Sequence, residues 1–91
     1  MGRIERKAFR LQDQIKALRE DEQRLVSELD YHRHIHDDAQ RDAIAGNAED
    51  RVFYGEVKGD LPRFEKALDK TRRRISAGEA ELQRLLDSFG N

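Results

Sequence analysis

Apolar and small side chains recur through the first half of the chain at Ile4, Ala8, Leu11, Ile15, Leu18, Leu25 and Leu29, in steps of four and three. Glu22 fills one place in this rhythm with a charge, and continuing it leads to His32, His36, Ala39 and Ala43. The second half repeats the pattern at Tyr54, Val57, Leu61, Phe64, Leu68, Thr71, Ile75, Gly78, Leu82, Leu85 and Phe89. Alternating steps of three and four keep one narrow stripe of a helix turned toward a partner, which is the seam of a coiled coil. Two long helices are predicted.

The two seams mirror one another. Positions whose numbers sum to 93 pair Ile4 with Phe89, Ala8 with Leu85, Leu11 with Leu82, Ile15 with Gly78 and Leu18 with Ile75. The series continues with Glu22 and Thr71, Leu25 and Leu68, Leu29 and Phe64, His32 and Leu61, His36 and Val57, Ala39 and Tyr54. Small faces large in several layers, and the acidic seam residue faces the hydroxyl. The fold-back point falls between Gly46 and Asn47, residue types that end helices and tolerate a left-handed backbone. An all-α antiparallel helical hairpin follows, one domain over residues 1–91. Its first arm runs over about 3–44 and its tip over about 45–49.

The returning arm carries Gly55, Gly59 and Pro62 close together, with Asp60 placed to cap a new helix. The expectation is a short helix over about 48–58, a break or kink near Gly59–Pro62, and a second arm over about 60–88, with a bent continuous arm as the alternative because the heptad continues across the break. Two helices bury only one stripe each, which is marginal for a small fold. Assembly into a dimer or larger bundle is therefore expected. Phe9, Val26, Tyr31, Ile35, Val52, Phe53 and Leu86 fall off the seam, and Tyr31, Ile35 and Phe53 form the expected partner-binding surface, for a second copy or a larger protein.

Composition supports this reading. Charged residues make up 41% of the 91 and the hydrophobic set 36%, too little for a thick globular core but enough for a seam. With 18 basic and 19 acidic residues, the net charge of −1 gives no general attraction to nucleic acid. There is no cysteine, so disulfides and thiolate metal sites are excluded, and a reducing, cytoplasmic setting is expected. No apolar run approaches the roughly 20 residues that span a bilayer, and no partner membrane is expected.

All three histidines sit at alternate positions in the stretch "HRHIH", residues 32–36. On a helix His32 and His36 share a face and His34 points elsewhere. A zinc site needs three or four convergent ligands, and Leu61 and Val57, the seam positions opposite, supply none. Structural histidines are expected rather than a metal site, with a proton-sensitive tip as the alternative. Ser27, Ser76, Ser88 and Thr71 have no histidine beside them, and no glycine-rich phosphate loop occurs. Neither an enzyme nor a cofactor is expected.

Charge is uneven along the chain. Residues 37–50, "DDAQRDAIAGNAED", hold five acids, Asp37, Asp38, Asp42, Glu49 and Asp50, against one arginine. Residues 63–74, "RFEKALDKTRRR", hold six bases against two acids and end in the basic patch Arg72, Arg73 and Arg74. An acidic tip on a helical hairpin resembles the coiled-coil finger of the DksA/TraR-type and Gre-type factors that enter the secondary channel of RNA polymerase. "AEDRVFYGE" is similar to the start of the second finger helix, through Asp50, Arg51 and Glu56, and "RRRISAGEAEL" to its close, through Arg74, Ile75 and Gly78. The four-cysteine zinc finger of the first group and the globular domain of the second have no counterpart here. The resemblance implies a transcription regulator that places Asp42, Glu49 and Asp50 near the polymerase active centre. The more general reading is a non-enzymatic protein–protein interaction or scaffold module.

Overall fold

The computed structural model describes residues 2–90 and contains two helices in an antiparallel hairpin, α1 (Arg3–Ala45) and α2 (Ala48–Gly90). The residues gather into two compact units. A base unit combines residues 2–23 with 69–90, and a tip unit comprises residues 24–68.

In the base unit Ala8, Leu11, Ile15 and Ile75 are buried, while Leu18, Thr71, Gly78, Leu82 and Leu85 are half-buried. In the tip unit Leu25, Leu29 and Leu68 form a buried cluster, with Leu61, Phe64 and Ala67 packed against it. Ala39 and Val57 are buried nearer the turn. Every buried apolar side chain among the described residues belongs to the seam. At Gly78 an added Cβ would lie 3.1 Å from Cγ1 of Ile15, the pairing that the mirrored numbering requires. Ion pairs flank the base seam: Lys7 with Glu81 at 3.2 Å, and Arg19 with Glu79. The outermost seam pair, Ile4 and Phe89, leaves both side chains close to half exposed.

The turn departs from expectation. Among the described residues no φ is positive, so the chain reverses without a left-handed residue. Gly46 is required for a different reason: a Cβ there would run into the main-chain carbonyl of Asp42 and the carboxylate of Asp50. Asn47 then caps α2. The Asp50 amide donates to Asn47 Oδ1 at 3.1 Å and the Asn47 amide donates to Asp50 Oδ2 at 3.2 Å, a reciprocal capping box.

The second arm also differs. The expected break between a short helix over 48–58 and a second arm over 60–88 is absent, and α2 passes unbroken through Gly55, Gly59 and Pro62, so the arm is continuous as in the alternative reading. Proline in a helix interior costs about 3 kcal/mol because it lacks an N–H and crowds the carbonyl four residues back, here that of Lys58. Pro62 and Lys58 are both exposed, so water can satisfy the orphaned carbonyl. Val57, Leu61, Phe64 and Leu68 lie on the opposite, packed side of the helix, and their shared burial outweighs the proline.

Gly55 and Gly59 are exposed, and nothing lies within 4 Å of a Cβ built on either. Glycine in a helix interior is worse than alanine by about 0.5–1 kcal/mol. Gly55→Ala with Gly59→Ala is therefore expected to stabilise the chain by about 1–2 kcal/mol. A higher urea midpoint at unchanged slope would show it.

Candidate interaction surfaces

The expected partner-binding residues reach the surface unequally. Tyr31 is 63% exposed and Phe53 51%, whereas Ile35 is half-buried. Tyr31 and Ile35 lie one turn apart on α1. Phe53 adjoins Val52, itself 64% exposed, in a shallow depression lined with Ala48, Glu49 and Glu56, all on α2. The tip unit thus offers apolar surface on both helices. Ile44, at 81% the most exposed large apolar side chain among the described residues, adds to it. Sequence reasoning missed Ile44, because it sits beside seam alanines and off the alternating rhythm; its only signal is a branched apolar residue where that rhythm asks for none.

The histidine rings are engaged with aromatic neighbours. His32 stacks on Phe64 with centroids 4.1 Å apart, and Tyr31 meets its edge at 5.6 Å. His36 tilts against Tyr54 at 5.3 Å, with Nδ1 3.5 Å from Asp37. The rings they meet, Phe64 and Tyr54, belong to the layers next to those of Leu61 and Val57. Helical side chains lean toward the N-terminus of their own helix, which brings His32 and Phe64 together from neighbouring layers. For His36, Tyr54 presents a ring where Val57 presents only a short branched side chain. His34 points away and lies 3.8 Å from Asp30. Among the described residues no three His, Cys, Asp or Glu side chains converge to hold a metal ion.

The five tip acids are not equivalent. Asp50 is half-buried and committed to the capping box. Asp38 accepts from Arg41 at 2.9 Å, and Asp37 stands beside His36. Asp42 and Glu49 are exposed, and among the described residues their carboxylates make no ion pair or hydrogen bond. The three arginines of the basic patch also diverge. Arg72 bonds Glu22 across the base seam at 3.0 Å, Arg73 pairs with Asp69 one turn back, and Arg74 is exposed with no ion pair among the described residues. Glu22, opposite Thr71 in the mirrored numbering and half-buried, thus also receives the long guanidinium of Arg72 across the seam.

Within the chain every buried side-chain polar atom among the described residues is satisfied. No helix among them is long and apolar enough to cross a membrane. The chain matches no family model, no curated protein and no solved structure.

Proposed function

We propose that the chain is a non-enzymatic protein–protein interaction module that acts in the cytoplasm and docks a partner protein on its tip unit. The observation that supports this reading most is that the large apolar side chains more than 60% exposed among the described residues, Tyr31, Ile44 and Val52, all lie there, with Phe53 beside Val52. Exposed aromatic anchors on a small helical scaffold are the usual centres of binding energy in protein interfaces. The scaffold itself holds them on well-formed helical turns, so little ordering is lost on binding.

A second reading rests on Asp42 and Glu49, tip carboxylates without partners among the described residues. Free acids at the end of a helical hairpin would suit insertion into the secondary channel of RNA polymerase, as the resemblance implies. Asp50 is a poor member of that set, since its carboxylate already holds the start of α2.

Substitution separates the two readings. Tyr31→Ala with Phe53→Ala is expected to weaken capture of the partner from native lysate by about a hundredfold, as for two hot-spot residues, with helicity unchanged. Asp42→Asn with Glu49→Gln should leave that capture intact. The reverse result, loss with the acid pair and none with the aromatic pair, would favour the polymerase reading and overturn the first.

A further inference from the structure

The base unit carries a groove that the tip reading does not use. Its floor is set by Gly78 against Ile15, with Leu11 and Leu18 beside them, and Ala17 and Ala77 keep its walls low. Asp21, Arg74 and Glu81 stand on its rim. Arg10 lies two helical turns from Ala17, hence on the same face of α1.

Charges on the rim, and Arg10 just beyond it, are arranged symmetrically in sign-inverted pairs. Arg10 and Asp21 lie at equal distances along α1 on either side of the Ile15–Lys16 step. Arg74 and Glu81 lie at equal distances along α2 on either side of Ala77–Gly78. Ile15 and Gly78 touch, so both pairs share one central level. A surface whose positive end matches its own negative end is complementary to itself, which is the requirement of an isologous two-fold contact.

We propose that this groove seats a second copy of the chain, antiparallel, with α1 over α1 and α2 over α2. The result is a four-helix homodimer of base units. At its centre Ala77 and Gly78 of the two copies let the helices approach closely. Arg74 of each copy then faces Glu81 of the other, and Arg10 faces Asp21. Glu81 keeps its intrachain contact with Lys7 and accepts the second cation as well. The dimer is a separate property from partner docking at the tip, and it would make that docking bivalent.

Charge exchange in the full chain tests it. Light scattering at micromolar concentration should give the mass of two chains. Arg74→Glu and Glu81→Arg should each raise the dimer dissociation constant by about tenfold or more, and the double variant should recover to within about threefold of the wild type. The second exchange, Arg10→Glu with Asp21→Arg, reads the other rim and keeps the test open if the first pair misfolds by circular dichroism. Tyr31→Ala with Phe53→Ala should leave the two-chain mass unchanged, so failure of the dimer and failure of tip docking are distinguishable. A one-chain mass for the wild type, or a dimer that neither exchange weakens, would overturn the proposal. So would a dimer lost with the aromatic pair, which would place self-association at the tip.

Discussion

Leu29→Ala is expected to destabilise the chain by about 3 kcal/mol, within the usual range for truncating a buried leucine. Leu29 is 4% exposed and lies at the centre of the tip cluster with Leu25 and Leu68. Removing it takes away the transfer free energy of three carbons and leaves a gap between Phe64 and Leu68 that two helices alone cannot close without losing other contacts. A small single-seam fold has only a few kcal/mol in hand, so the loss is a large share of the total. Urea denaturation followed by helicity should show a midpoint lower by more than 1 M, given a slope of about 1–2 kcal/mol per M. Val26→Ala, on the exposed side of the same stretch, should change the midpoint little.

Gly46→Ala should be nearly as damaging, at about 2–3 kcal/mol. The added methyl meets two groups. The Asp50 carboxylate can swing away, but then the Asn47 amide loses its acceptor and the capping box opens, worth about 1 kcal/mol. The Asp42 carbonyl belongs to the last turn of α1 and cannot swing, so the turn itself must shift. Asn47→Ala isolates the first effect, because it removes the Oδ1 acceptor of the Asp50 amide and leaves the backbone unhindered. Its loss should be about 1 kcal/mol, clearly smaller than that of Gly46→Ala.

The seam was legible because its spacing depends on helix geometry alone. Ile15 with Gly78, and Leu25 and Leu29 with Leu68 and Phe64, come together as the mirrored numbering requires. Three features were not legible. A helix through Pro62 depends on how much burial flanks it, which residue types alone do not measure. The ring partners of His32 and His36 depend on the lean and length of side chains, which shift contacts by a layer. The role of Asp50 depends on a reciprocal hydrogen bond with Asn47, and a string of five acids does not show which one is turned inward.

Of the surfaces, Tyr31 and Phe53 were recognisable as apolar residues off the seam, whereas Ile44 was hidden beside seam alanines. The base groove was hidden for a similar reason. Gly78, Ala17 and Ala77 look like weak seam or surface positions in a string of letters, and they acquire meaning only when Ile15 is seen against Gly78.

The hairpin register can be tested directly, since the chain contains no cysteine of its own. Cysteines placed at Ile15 and Gly78 would face one another, since a Cβ built at Gly78 lies 3.1 Å from Cγ1 of Ile15, and a disulfide joins Cβ atoms about 3.5–4.5 Å apart. Dilute oxidation should therefore close a disulfide within one chain, with helicity retained, while cysteines at Ile15 and Leu85, a heptad away, should not close one. Failure of the first pair to crosslink, or equal closure of the second, would contradict antiparallel pairing in this register.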